Sequence, residues 1–400
     1  MSETLSDHIL LLLAIKAPKA EIDLDHIYEK VSRDLSRGLK KTVRKEEVAG
    51  ELTSLEAKGL VESMGGLYYI TGAGRSEIKS RLQQVASRLN LSYRMVLAAK
   101  DYYPRVADRI LPFLRGRPIS VVKVFSDESD PAGKVKPLFV RYTRYKPSPQ
   151  HIRIESGDQL MGYVDDHAVD FIPYVHGFSR KEPSWLVIDL DAGEGLKGVP
   201  EGFLAVKFVA EKVFMLLEGS GVKPAVKFSG SRGMQVWAAL DNSKLPSGDP
   251  FAHYRRIIQL VQARVEEEIA REGVPGELRG LVSGSGGSAG MGAGNKGGDV
   301  GLGGEIGGLT TAKVAGKAER ARKVLLDWSS MKPMGDVRAP FSIHYKTGLV
   351  SCPVDPSRIM EFDPSEAAPE KVAETSERLA GFFLLEEGNP RRLLERLGFF

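Results

Sequence analysis

Residues 185–188, Trp-Leu-Val-Ile, form an apolar run that ends in Asp189-Leu190-Asp191. An unbroken run of this kind reads as a buried strand. Side chains alternate along a strand, so Asp189 and Asp191 turn to the same face. Two carboxylates that close together repel unless a cation stands between them. A divalent ion answers that need, because Mg²⁺ prefers one or two carboxylates together with substrate phosphates.

Two further segments extend the pattern. Ser229-Gly230-Ser231-Arg232-Gly233 follows a short apolar strand over residues 225–228 and offers a small-residue turn with a hydroxyl and a guanidinium. That combination suits phosphate oxygens. Residues 324–326 are Val-Leu-Leu and deliver a third strand-end carboxylate, Asp327. Together the three segments imply metal-dependent chemistry on a nucleoside triphosphate.

Composition sets outer bounds. The 400 residues predict two or three domains. The net charge of +4 permits a nucleic-acid partner without demanding one. The single cysteine, Cys352, excludes an internal disulfide and a cysteine-cluster zinc site, as expected of a reducing cytoplasm. The apolar run at residues 9–15 is too short to span a bilayer and lacks the flanks of a signal peptide, so no membrane partner is expected.

Residues 1–85 read as a small module. Helical patterns cover residues 7–17, 25–35 and 45–58, the last with Val48, Leu52 and Leu55 on one face and Gly59 as its stop. Two short strands at 60–63 and 67–71, joined through Gly65-Gly66, read as a hairpin. Three helices and a hairpin resemble a winged helix-turn-helix domain. The basic stretch with Arg37, Lys40, Lys41, Arg44 and Lys45 favours DNA docking. The third helix carries Glu46, Glu47, Glu51 and Glu56, which favours a solvated face or a protein contact.

Further along, helices are expected over 76–89, 101–114, 203–218 and 251–271, and strands over 119–125 and 138–142. Residues 283–308 are glycine-rich. They lack both a preceding strand and a Gly-Lys-Ser/Thr ending, so they read as a flexible loop rather than a phosphate cradle. Residues 391–400 read as an amphipathic helix with Leu393, Leu394 and Leu397 on one side.

The motifs in order resemble the archaeo-eukaryotic primase superfamily. Ile188-Asp189-Leu190-Asp191 is the first, and residues 227–237, Lys-Phe-Ser-Gly-Ser-Arg-Gly-Met-Gln-Val-Trp, are similar to the family's Ser-Gly-x-Arg-Gly-x-His-x-Trp. The third is Asp327 with Arg338 and then Ser342-Ile343-His344-Tyr345-Lys346-Thr347-Gly348, similar to Ser-x-His-x-Lys-Thr-Gly of replicative primase small subunits. Upstream, Tyr102-Tyr103, Leu111-Pro112 and Arg115-Gly116-Arg117-Pro118 resemble the polymerase domain of bacterial end-joining ligases. Arg141 and His176 fall where that branch has a basic residue and a histidine.

The resemblance implies an α/β (α+β) fold: a primase-polymerase core over residues 95–370 with an RRM-like catalytic sheet, the winged-helix-like module before it, and a helical segment at 371–400. It implies template-dependent nucleotidyl transfer to a 3′-hydroxyl, in priming or repair synthesis. Asp189, Asp191 and Asp327 would hold Mg²⁺ or Mn²⁺. Ser229, Arg232 and the amides around Gly230 and Gly233 would grip an NTP or dNTP, and Arg338, Ser342, His344 and Lys346 would join them. Arg117, Arg141, Lys40, Lys41 and Arg44 would meet a DNA template-primer or an RNA primer, alongside replication or end-joining proteins.

One departure stands out. The family histidine of the second motif is Gln235, whose amide can donate to a phosphate oxygen but carries no charge. Two other readings therefore stay open: a degenerate, non-catalytic nucleic-acid-binding protein, and a metal-dependent phosphohydrolase. The haloacid-dehalogenase form of the latter wants Thr or Val shortly after the second aspartate, where this chain has Ala192-Gly193-Glu194-Gly195.

Overall fold

The computed structural model describes residues 4–16, 20–82, 91–126, 135–178, 182–283, 308–313, 315–316 and 322–400. The glycine-rich stretch at 283–308 lies almost wholly outside them. The chain forms two compact units. One comprises residues 1–173, 341–349 and 368–374, the other residues 174–340, 350–367 and 375–400. The boundary expected near residues 85–95 therefore lies inside the first unit.

The first unit opens with α1 (Leu5–Ile15), whose start is fixed by a capping box between Thr4 and Asp7. Every residue from Ile9 to Ile15 is buried, so the apolar run is a core helix. Helix α2 (Leu24–Leu39) is capped by Asp23, and α3 (Lys45–Ala57) buries Val48, Leu52 and Leu55 as the spacing predicts. Strands β1 (Val61–Met64) and β2 (Leu67–Ile70) pair as an antiparallel hairpin. Its turn has φ of +63° at Gly65 and +82° at Gly66, a left-handed pair that glycine adopts without steric cost. Helix α4 (Gly72–Leu82) follows.

Helix α5 (Leu91–Leu114) is ten residues longer than expected at its start and runs through Pro104 and Pro112. A proline inside a helix costs about 3 kcal/mol. Burial of Tyr102, Tyr103, Val106, Ile110, Leu111 and Leu114 along one side offsets that cost. Next come β3 (Ile119–Ser126), β4 (Val135–Val140), β5 (Tyr142–Arg144), β6 (Gln150–His151), α6 (Gly157–Asp165) and β7 (Ala168–Pro173). Strands β4, β3 and β7 form an antiparallel sheet in that order. The two α5 tyrosines tie segment 341–349 into this unit. Tyr102 Oη donates to Phe341 O at 3.0 Å; Tyr103 Oη donates to Val169 O at 2.6 Å and accepts Ile343 N–H at 3.0 Å.

The second unit is built on β8 (Leu186–Ala192), α7 (Pro200–Glu218), β9 (Ala225–Phe228), β10 (Met234–Leu240), α8 (Pro250–Glu272), α9 (Arg279–Ser283), β11 (Thr310–Ala312) and β12 (Val324–Asp327). The chain passes between the units within α10 (Pro369–Gly381), then adds β13 (Glu387–Gly388) and α11 (Arg391–Arg396). The sheet order is β11-β12-β8-β10-β13, with β9 also on β10. Strands β12, β8, β10 and β9 pair antiparallel; the outer β11–β12 and β10–β13 pairs are parallel. Helix α7 buries Val206, Val209, Val213 and Leu216, the stripe its sequence repeats. The last helix stops at Arg396, and Gly398 with φ +63° ends it, but Leu393, Leu394 and Leu397 are buried as expected.

The architecture is the mixed α/β class expected. Cys352 is free and buried, and burial pushes its thiol up to about 12. No described helix is long and apolar enough to cross a membrane.

Candidate active site

The register of the second sheet lines up the expected carboxylates. Asp189 on β8 lies opposite Asp327 on β12 and opposite Gln235 on β10, and Gln235 in turn lies opposite Lys227 on β9. Residues opposite one another share a face. Asp191 joins them, two residues along β8. Beyond β12, Ala312 pairs with Leu326, so the next residue, Lys313, extends the row past Asp327. The result is a polar row of five residues, Lys227–Gln235–Asp189–Asp327–Lys313, with a lysine at each end.

Sequence reasoning did not single out Lys313. Its ammonium stands 2.7 Å from Asp327 Oδ2 and 3.6 Å from Asp191 Oδ2. Ser329 adds its backbone N–H to Asp327 Oδ1 at 2.8 Å and its hydroxyl to Oδ2 at 3.0 Å. Burial alone would raise the Asp327 carboxyl; the Lys313 and Ser329 donors outweigh it and hold the group below the usual carboxylate range. Asp189 goes the other way. Burial, and then the Asp191 charge, raise its carboxyl to about 7 against the smaller opposing pulls of Lys313 and Gln235. The carboxylate set thus carries more negative charge than one lysine offsets. Its donors are all oxygen, which suits a hard divalent cation. As placed, no three acidic, histidine or cysteine side chains among the described residues stand close enough to enclose a metal ion. Lys313 lies between two of the expected ligands.

The Ser229 turn sits beside this row. Ser229 N–H donates to Gly233 O at 2.9 Å, and Gly233 N–H donates to Ser229 Oγ at 3.1 Å, so the turn is closed on itself. The Gly233 amide expected to grip a triphosphate is thereby committed to the turn. Gly230, with φ +88°, provides its left-handed corner. Arg232 is exposed, and Arg338 donates to Ser229 O at 3.1 Å, which places a guanidinium on the turn. Gln235 donates Nε2–H to Asp189 Oδ1 at 3.0 Å, not to an open phosphate position. His176 Nε2 accepts Met334 N–H at 3.2 Å, so this ring is fixed by its own unit's backbone.

The remaining expected residues belong to the first unit. Ser342 is fully buried; its hydroxyl donates to Asp170 Oδ1 at 3.1 Å and accepts Phe171 N–H at 2.8 Å. It secures β7 instead of facing a nucleotide. His344 is mostly buried, accepts Lys346 N–H at Nδ1 and stacks on Tyr345 with ring centroids 5.4 Å apart. Lys346, Arg141, Lys40, Lys41 and Arg44 are exposed. Arg117 is buried, and burial lowers its guanidinium to about 10, so it is not presented to nucleic-acid phosphates.

The mixed α/β fold is similar to that of a primase-type polymerase domain. Residues 98–273, somewhat under half of the chain, match the family model for the LigD primase-polymerase domain. A curated relative, the bifunctional non-homologous end joining protein LigD of Bacillus subtilis (strain 168), is 26% identical over 169 residues, 40% of this chain. The chain spans about a quarter of that relative's length. Among solved structures, the polymerase domain of Ligase D from Mycobacterium tuberculosis, in complex with DNA, matches with a TM-score of 0.50 and 20% identity, over 75% of this chain and 90% of that one. The family match stops short of Lys313 and Asp327, which join the site through the sheet, and of Arg338, which joins it through its bond to the Ser229 turn.

Proposed function

We propose that this chain is a template-directed nucleotidyltransferase that extends a DNA 3′-hydroxyl in end-joining repair synthesis. The observation that carries the reading is the alignment of Asp189 and Asp327 on adjacent strands, with Asp191 on the same face and the Ser229 turn beside them. Asp189, Asp191 and Asp327 would hold Mg²⁺ or Mn²⁺. Bound there, the metal would lower the pKa of the attacking hydroxyl and neutralise charge at the α-phosphate.

The chain's own residues do the rest by position and charge. Lys313 is the resident counter-charge of Asp191 and Asp327, a charge that a bound divalent cation would take over. Exposed Arg232 and the turn-bound Arg338 supply guanidinium groups that match phosphate oxygens. Arg141, Lys40, Lys41 and Arg44 are exposed and are proposed as contacts to the DNA backbone.

A primer-extension assay with Mg²⁺ or Mn²⁺ and each of the NTP and dNTP sets tests the reading. Incorporation that disappears in Asp189→Ala supports it. Phosphate release without incorporation would replace it with hydrolysis, and template binding with neither product would make the chain a binding protein.

A further inference from the structure

Gln235 is nearly buried and its amide is held from both sides. Nε2 donates to Asp189 Oδ1 at 3.0 Å, and Oε1 accepts the Trp237 indole N–H at 3.1 Å. The chemistry of the indole dictates this orientation. An indole N–H is only a donor, so the amide oxygen must face Trp237, and this turns the amide N–H toward Asp189.

Trp237 is itself fixed. It is fully buried, with Trp185 at 5.0 Å and Phe383 at 5.6 Å between ring centroids and Lys227 Nζ 5.2 Å from its own. Lys227 is in turn anchored on Ser351 Oγ at 2.5 Å. The indole direction is therefore set by packing, and Gln235 transmits it to the carboxylate. A protonated histidine in the same place would turn a second donor toward the Trp237 donor. Only a neutral histidine in one tautomer could replace the amide.

We propose that Gln235 is a positioning residue and not a nucleotide ligand: Trp237 and Gln235 form a relay that orients Asp189. The proposal rests on the nucleotidyltransferase reading for the role of Asp189. The relay commits Oδ1 of Asp189 to the amide and fixes the rotation of the carboxylate about which a cation must bind. It also gives the departure from the family histidine a physical content. An amide bridges the indole and the carboxylate without needing a particular protonation state or tautomer of its own, where a histidine would.

The test has two readouts. In ¹⁵N-labelled protein, the Trp237 indole N–H signal, assigned by its loss in Trp237→Phe, is followed as Mg²⁺ alone is added. The signal is expected to move in the wild type and to stay still in Asp189→Asn; a signal that does not respond in the wild type overturns the relay. In steady-state extension, Gln235→Leu and Trp237→Phe are each expected to lower kcat by about 10–100-fold, the usual effect of removing a group that orients a metal ligand. The nucleotide KM should stay within about twofold. A tenfold rise in nucleotide KM in Gln235→Leu, with Trp237→Phe like wild type, would make Gln235 a nucleotide ligand and overturn the proposal. Should the wild type extend no primer, the function reading fails by itself, and the indole titration still decides the relay.

Discussion

The Lys313 ammonium lies 2.7 Å from Asp327 Oδ2, in the same row of the sheet as Asp189. Burial would lower the lysine, but the hydrogen bond to Asp327 and the surrounding carboxylate charges outweigh it and hold it above its usual value. Lys313 is thus a cation built into a site that gathers negative charge. Any divalent ion that binds Asp191 and Asp327 competes with it.

Lys313→Met is expected to act in opposite directions with and without metal. In metal chelator, the variant should lose about 1 kcal/mol, a modest figure because the side chain is half-exposed and screened. In saturating Mg²⁺ that deficit should vanish, and calorimetry with Mn²⁺ alone should show tighter binding than wild type. Equal affinities in the two proteins would remove Lys313 from the competition.

Gly233 makes a second prediction. A Cβ there would stand 2.6 Å from Asp191 Oδ1, 2.6 Å from Leu190 O and 3.3 Å from Ser229 Oγ. Two of those atoms belong to β8, so Gly233→Ala must shift either that strand or the turn. Overpacking of this kind costs about 1–3 kcal/mol, and a displacement of the carboxylate of about 1 Å costs on the order of 100-fold in rate. Gly157→Ala is the control, because a Cβ at that position meets nothing within 4 Å. Urea denaturation and extension assays on both variants check the contrast.

These two residues also mark how far the sequence reaches. Asp189, Asp191 and Asp327 were legible because apolar runs and period-two alternation are local properties, and the strands formed where those runs lie. Lys313 was not. Its place beside Asp327 depends on the parallel pairing of β11 with β12, which no local pattern encodes. The same holds for Ser342: the motif marks the residue, but only the tertiary contact with Asp170 and β7 says what its hydroxyl does. At Gln235 the reading went to a phosphate, since a sequence does not show that a tryptophan two residues along the same strand fixes which way the amide faces. Helix α5 shows the converse, a local rule overridden: Pro104 and Pro112 disfavour a helix interior, and the buried tyrosine face carries the helix through both and back to Leu91.

Ser342→Ala should behave as a structural variant. Removing the hydroxyl leaves the buried Phe171 N–H without this acceptor and takes one donor from Asp170. An unsatisfied buried group costs about 1–3 kcal/mol. The denaturation midpoint should fall accordingly, while the nucleotide KM stays within about twofold. A large KM change with unaltered stability would return Ser342 to the nucleotide site.

The Asp7–Arg81 pair near the N-terminus is sensitive to acid. Asp7 accepts Arg81 Nε–H at 3.0 Å and Nη2–H at 3.1 Å, and Thr4 N–H at 2.9 Å. Burial alone would raise its carboxyl, but the Arg81 and Thr4 donors outweigh burial and hold it below 3.8. A carboxylate with a depressed folded-state pKa binds protons more readily when unfolded. Its contribution is therefore fully present above 3.8 and is lost as pH falls through the lower folded value. Asp7→Asn should cost about 1–3 kcal/mol at pH 7, because it takes the charge from a nearly buried acceptor. The difference from wild type should shrink steadily as the pH is taken below 3.8. Urea midpoints of both proteins across that range measure it, and a difference that stays constant with pH would show that Asp7 contributes through packing and not through its charge.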